Sequence, residues 1–184
     1  HLTAERLLRV TMTAIQNTPK LLECDRTSLF SAVMTCAQLG LEPDGVLGQA
    51  YLIPFGKRVQ FVPGYKGLLS LARNSGDVVS ISAHEVCAND HFDYAFGLAE
   101  RLEHKPASDR GDITHFWALA RFKDGGYHFD VMTRSEVDAI RDGSPNGRAS
   151  SSPWKSHYVE MGRKTAIRRI VKYLPLSVQK AMAL

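Results

Sequence analysis

The 184-residue chain predicts an α+β fold: a small antiparallel β-sheet of hairpins packed with helices, in a single domain over 1–184 that ends in a long basic helix. Three observations predict it. Apolar residues recur at helical spacing near both ends of the chain. Two stretches between them read as strand–turn–strand. Residues 153–173 combine one apolar arc with a dense run of cations.

The elements follow in order. Leu7, Leu8, Val10, Met12 and Ile15 stand among polar residues, which suits an amphipathic helix over 3–16, ended by Thr18-Pro19. A second helix is expected over 27–39, capped by Asp25, Thr27 or Ser28 and stopped by Gly40 and Pro43. Residues 50–55 and 58–62 form a hairpin about Gly56-Lys57, with Pro54 and Pro63 at edges or strand ends. Gly64-Tyr65-Lys66-Gly67 opens a short helix over 68–74. Residues 78–87 alternate as a strand, and 92–96 are expected to pair with it. The polar stretch 97–112 shows no period. Residues 114–122 and 127–132 form a second hairpin turned by Asp124-Gly125-Gly126. Thr133-Arg134-Ser135-Glu136 is a capping-box pattern opening a helix to about 141. A Gly/Ser-rich loop over 143–152 leads to the last helix, with Pro153 in its first turn and Leu174-Pro175 as its stop.

Composition sets bounds. Hydrophobic residues at 44% and charged residues at 23% are ordinary for a globular chain with a real core. No apolar run reaches bilayer length, so no membrane association is expected, and the polar start carries no signal peptide. The first residue is not methionine, which suggests an excerpt of a longer chain. Cys24, Cys36 and Cys87 are too few and too scattered for a disulfide frame or a zinc site, and read as buried small hydrophobes.

A net charge of +4 raises the odds of a polyanionic partner only slightly, but its distribution is informative. Residues 154–173 hold six cations and one acid, Glu160, so this segment alone carries +5. At 100° per residue, Val159, Gly162, Ala166, Ile167, Ile170, Val171 and Leu174 share the core arc. Lys164, Arg168, Arg169 and Lys172 fall opposite, with Trp154, Tyr158, Met161 and Thr165. Cations that meet phosphates, interleaved with rings that stack on unpaired bases, are how single strands are gripped without reading sequence. The plain alternative is a solvated helix face with Trp154 and Tyr158 in the core. Arg163 falls within the apolar arc and does not fit the wheel: either it reaches a carboxylate or the register is slightly off. Beyond this helix, with Lys155 at its start, the candidate DNA-binding residues are Tyr65 and Lys66 at a helix N-terminus, Arg73 at the end of the same helix, Arg121 and Lys123 near a turn, and Arg148 in the loop. A plain strand-to-helix turn is the alternative at 64–67.

Enzyme motifs are lacking. No GxxxxGK[ST] loop is present, and Gly162-Arg163-Lys164-Thr165 lies inside a helix without the upstream glycine. His84-Glu85 lacks the second histidine of HExxH, and no nucleophile elbow appears. No catalytic residue, metal ligand or cofactor is therefore assigned. A faint acid-then-Glu-x-Lys pattern, Asp93 with Glu103-His104-Lys105, keeps a metal-dependent nuclease as the rival. A passive strand-protecting protein is the third possibility.

Six blocks then fall in a familiar order: Ala37 to Pro43, Tyr51 to Phe55, Gly64 to Arg73, Ala118 to Gly126 with Phe129 to Thr133, Gly147 to Trp154, and Glu160 to Arg169 running on to Ser177. Together they resemble the RecT family of phage and prophage single-strand DNA annealing proteins, over about 3–177. The family's N-terminal extension and C-terminal tail are apparently absent, the loop between the first two strands is short, and Gly162 stands for a more usual Ala. The resemblance implies ATP-independent binding of single-stranded DNA and annealing of complementary strands in homologous recombination, as a homo-oligomeric ring or helical filament. It implies no ATP, Mg²⁺ only as a modulator, an annealed duplex intermediate, a phage exonuclease partner and the cytoplasm of a bacterial host. One strand is expected in a groove lined by the last helix and the 64–73 segment, its bases open to a complement.

Overall fold

A computed structural model describes residues 3–43, 47–144, 147–150 and 152–175. Parts of the expected 143–152 loop and the Leu176-Ser177 end of the last block lie outside the described residues. The chain forms two compact units, one ending at Asp77 and the other spanning Val78–Leu174. Helices and antiparallel strands coexist as expected for α+β.

In the first unit, α1 (Ala4–Asn17) starts at Thr3, whose hydroxyl accepts from the Arg6 N–H. A 3₁₀ turn, Pro19–Glu23, leads to α2 (Arg26–Leu39). Asp25 is the N-cap of α2, and Gly40 ends it at φ +66°, a left-handed conformation that glycine adopts without penalty. Strands β1 (Ala50–Phe55) and β2 (Arg58–Pro63) pair in the expected register about Gly56-Lys57. They form a two-stranded sheet, so each has an open edge and both prolines are tolerated. The Ser28 hydroxyl accepts from the Val59 N–H at 2.9 Å, which ties α2 to β2. Leu21, Ala32, Cys36, Leu39, Leu52 and Leu71 are among the residues of this unit's core. All three cysteines are free and buried, and burial pushes the Cys36 thiol up to about 12.

Helix α3 (Tyr65–Asn74) begins three residues earlier than expected, with Gly64 as its N-cap. A side chain at Gly64 or Gly67 would collide with the backbone of Gly48 or Gln49. These glycines therefore serve the chain's own close packing.

In the second unit, β3 (Val78–Cys87), β6 (Ile113–Phe122) and β7 (Tyr127–Thr133) form an antiparallel sheet in the order β3-β6-β7. Strand β4 (His91–Ala95) does not pair with β3 as expected. Its partner is β5 (Arg101–Lys105), in the stretch that showed no period. The reason is visible in β5: Arg101, Glu103 and Lys105 face out, and only Leu102 and His104 turn inward, so its alternation is almost silent in hydrophobicity. Helix α4 (Arg134–Gly143) carries the predicted capping box between Thr133 and Glu136.

The expected single helix over 153–173 is broken. A four-residue turn, α5 (Pro153–Ser156), precedes α6 (Tyr158–Val171), and His157 between them is non-helical at φ −137°, ψ 50°. The 14 residues of α6 pack on β6, β3 and β7 through Gly162, Ala166, Ile170 and Val171. One face of the sheet, carrying Phe116, Glu85 and Asp130, meets this helix. The other, carrying His115, Trp117 and Phe129, meets the β4–β5 segment through Phe92, His104 and Phe96.

At Gly162 any Cβ would overlap the ring of Phe116, which is itself fully buried. Gly162→Ala should therefore cost about 1–3 kcal/mol by overpacking. Phe116→Leu in the same chain should recover part of that loss, and urea denaturation of the double-mutant cycle measures the coupling.

Candidate nucleic-acid interface

The last helix is fixed to its sheet by a charged network. Glu85, nearly buried on β3, receives Arg163 from α6 at 2.7 Å through Nε and Arg110 at 2.6 Å through Nη1. Arg163 thus finds the carboxylate its place on the apolar arc required. Arg110 also binds the Asp90 carboxylate at 2.8 Å. Asp90 further accepts from the N–H groups of Cys87 and Ala107, both at 2.9 Å, and bonds Nε2 of His104 at 3.0 Å. The Trp117 indole N–H donates to Nδ1 of His104 at 3.0 Å. An indole can only donate, so Nδ1 is the acceptor and Nε2 bears the hydrogen directed at Asp90. Bonding to Arg110, then to His104 and the two backbone groups, holds the Asp90 carboxyl far below the usual carboxylate range against the opposing effect of burial. At Glu85 burial pushes the carboxyl up, but its backbone N–H, Arg110 and Arg163 outweigh it and the net shift is downward.

Around this frame the candidate residues separate into two kinds. Trp154 is 7% exposed and packs against Tyr158, so its ring belongs to the core. The Tyr158 ring lies against Phe116 and Trp154, with the Arg134 guanidinium 6.0 Å from its centre. Its hydroxyl donates to Asp138 at 2.8 Å, and burial, with this bond, pushes the phenol up to about 12. Trp154 is thus a core residue, while Tyr158 is half-buried and bonded to Asp138. The Thr165 hydroxyl donates to the Met161 carbonyl at 2.8 Å. Arg169, placed outward by the wheel, instead pairs with Asp130 at 2.6 Å and Glu136 at 3.0 Å. Arg148 makes a two-pronged pair with Asp142, at 2.8 and 2.6 Å.

Of the other candidate cations, Lys66, Arg73, Arg121, Lys123, Lys155, Arg168 and Lys172 form no ion pair with an acid among the described residues, as is also true of Lys20, Arg26, Lys57 and Arg58 in the first unit. All seven candidates are exposed. Arg168 and Lys172 are four residues apart, one helical turn or about 6 Å along the axis. Lys164 stands one turn earlier, where burial and then Arg168 lower its ammonium below the usual lysine range. Arg121 is the penultimate residue of β6, and Lys123 lies in the turn to β7. Tyr65, Lys66 and Arg73 belong to the first unit. Lys66 and Arg73, seven residues apart on α3, share one face about 10 Å apart.

The nuclease pattern also acquires a geometry. Asp93 and Glu103 are direct cross-strand partners on β4 and β5, so the strand that pattern requires is present. Each carboxylate is already taken, Asp93 by Arg101 at 2.6 Å and Glu103 by Lys105 at 2.5 Å. Both are held below the usual carboxylate range by those cations. Among the described residues no group of three or more His, Cys, Asp or Glu side chains is placed to hold a metal ion. No helix of the described residues is long and apolar enough to cross a membrane.

Sequence reasoning missed Glu85, Asp90, Arg110 and His104 as the frame of the helix. Arg110 and Asp90 are 20 residues apart, and Arg163 and Glu85 are 78 apart. No local pattern records such pairings, apart from the demand that an arginine on an apolar arc find an acid.

A helix held on an antiparallel sheet thus presents unneutralised Arg168 and Lys172 at its end and Arg121 and Lys123 at the sheet's turn, and the match to a known family puts the chain among phage-type recombination proteins. The RecT family model matches residues 5–184, and the chain belongs to the RecT family. It is 46% identical over 188 residues to Protein RecT of Escherichia coli (strain K12), an alignment covering 97% of this chain and 69% of that protein. It is 27% identical over 178 residues to the uncharacterized protein YqaK of Bacillus subtilis (strain 168), covering 92% of this chain and 60% of that one.

Replacing Glu85 with Gln leaves Arg110 and Arg163 without their shared countercharge and should cost about 3 kcal/mol in chemical denaturation. The folded-state values of Asp90 and Glu85 are depressed, so their stabilisation is complete above the ordinary carboxylate values of 3.8 and 4.5 and is lost as pH falls below them. His84 and His115, whose imidazoles burial holds below their ordinary value of 6.5, add a shallower loss as pH falls below that value, so urea midpoints should decline modestly from pH 7 to 5 and steeply below about pH 4.

Proposed function

We propose that this chain binds single-stranded DNA and anneals complementary strands without ATP, as an oligomeric recombination protein. The observation that carries the reading is the set of exposed, unneutralised cations at the end of α6, Arg168 and Lys172, and at the β6–β7 turn, Arg121 and Lys123, in a chain of the RecT family. A cation already paired with a carboxylate gains little by meeting a phosphate. One without a partner releases the counterions of the strand it binds. Arg168 and Lys172, one turn apart, offer a track along one side of the helix end, and Arg121 and Lys123 extend the positive surface. Lys66 and Arg73 give the first unit a cationic helix face of its own.

The bases of a bound strand then face a complement. Pairing and stacking supply about 1.4 kcal/mol per step, enough to drive annealing with no nucleotide fuel. The protein's part is alignment and charge neutralisation. Tracking a long strand takes many protomers side by side, in a ring or an open filament. No catalytic residue is assigned, Mg²⁺ acts only as a modulator, and a phage exonuclease in the bacterial cytoplasm supplies the strand.

Two labelled complementary oligonucleotides test this by FRET, without ATP and with and without Mg²⁺, the same samples then being run on a denaturing gel. Faster pairing with intact strands is expected. Strand shortening that requires Mg²⁺ would instead turn attention to Asp93 and Glu103. Binding without acceleration would reduce the role to strand protection.

The pairing pattern makes a sharper forecast. Arg168→Ala and Lys172→Ala should each reduce the slope of log affinity against log salt by roughly 0.7 on single strands. Arg148→Ala and Arg169→Ala should leave that slope nearly unchanged, because their charges are already balanced within the fold. Equal effects from both sets in an anisotropy titration would refute the distinction.

A further inference from the structure

Trp154 is buried and Tyr158 is half-buried and bonded to Asp138, so neither offers an open ring face beside Arg168 and Lys172. Of the exposed Tyr and Phe rings in the second unit, Tyr94, Phe96, Tyr127 and Tyr173, two stand next to unneutralised cations. Tyr127, the first residue of β7, is 45% exposed and is the direct cross-strand partner of Arg121. Its ring stacks on Phe129, centres 6.3 Å apart at 22°. Phe129 in turn stacks on Phe96 at 5.2 Å and 17°. The Tyr127 hydroxyl donates to the Glu100 carbonyl at 2.9 Å. Ring and hydroxyl are both anchored, so the ring is a fixed flat plate with surface left open. Tyr173, just beyond α6, is 68% exposed and rests on His128 at 5.4 Å. His128 follows Tyr127 on β7, so the two tyrosines flank the same end of that strand from opposite faces.

Each ring has a cation beside it that no acid among the described residues neutralises: Arg121 opposite Tyr127, Lys123 in the adjoining turn, and Lys172 immediately before Tyr173. The nearest carboxylate in sequence, Asp124, accepts from the Gly126 N–H at 2.8 Å within the turn. Open aromatic plates beside free cations match the chemistry of an unpaired nucleotide, a base to stack and a phosphate to pair. A duplex buries its base faces and can use only the cations.

We infer that Tyr127 and Tyr173 are the base-stacking residues of this protein, and that the end of the β6–β7 hairpin with the tail of α6 is where it distinguishes single-stranded from duplex DNA. The inference rests on the single-strand-binding reading above and names the residues that would give it selectivity. The anchored Tyr127 plate loses little freedom on binding, and stacking on either ring favours any base over none, which suits a protein that must accept every sequence.

The test compares Tyr127→Ala, Tyr173→Ala and the corresponding Phe variants of the full chain on oligo(dT) and on a duplex of equal length, by anisotropy. Each Ala variant should weaken oligo(dT) binding by about 5- to 100-fold, with an unchanged salt slope and unchanged duplex affinity. Each Phe variant, which keeps the ring and loses the hydroxyl, should stay within about twofold of the parent. Photo-crosslinking to an oligonucleotide carrying 5-iododeoxyuridine should place adducts on peptides containing residue 127 or 173. Equal losses on single strand and duplex, Phe variants as weak as Ala variants, or Ala variants that lose self-association while keeping oligo(dT) binding would each overturn the inference. If the parent binds and anneals strands while the Ala variants match it, only this inference fails. If the parent binds no single strand, the functional reading fails and takes this one with it.

Discussion

Everything presented by the second unit depends on how α6 is held to its sheet, and that is decided by one arginine and one glycine in succession. Gly162 lets the helix approach until the Phe116 ring fills the space where a Cβ would stand. Arg163, next along, carries a charge into that approach and is met by Glu85. A close approach without the ion pair would strand a cation against apolar surface, and an ion pair without the close approach would leave Glu85 and Arg163 separated. Each depends on the other, and both lie on the face away from Arg168 and Lys172.

The network behind Glu85 extends the same logic through the sheet. Arg110 joins Glu85 to Asp90, and Asp90 reaches Trp117 through His104. Trp117 and Phe116 are neighbours on β6 whose side chains point to opposite faces. One is anchored by the β4–β5 segment and the other is covered by α6. Buried charges of this kind are costly to isolate but cheap once every partner is in place, so they favour one arrangement of helix and sheet over its near alternatives. That rigidity gives the outer cations a fixed spacing.

The division of cations into paired and unpaired separates architecture from interface. Arg163, Arg169, Arg148 and Arg110 are spent on carboxylates inside the fold. Arg168 and Lys172, from the same helix, find none among the described residues. A count of basic residues treats them alike, and only their neighbours tell them apart. The same holds for aromatics: Trp154 lies in the stretch where charge is densest yet is buried, whereas Tyr127, in a hairpin with no notable charge run, is open.

Local pattern and composition determined much of this protein. The helices at 4–17 and 26–39, both hairpin turns, the capping box at Thr133 and Glu136 and the apolar arc of the last helix were all legible, because each rests on interactions between residues a few positions apart. The ordered motif blocks gave the family in the same way. Tertiary structure decided what long-range neighbours control: the pairing of β4 with β5, the break at His157, the burial of Trp154, the bonding of Tyr158 to Asp138, and the neutralisation of Arg169 by Asp130 and Glu136. A sequence states how many charges and rings a chain carries. Which of them remain available depends on what lies within about 4 Å across the fold, and folding alone brings those groups together.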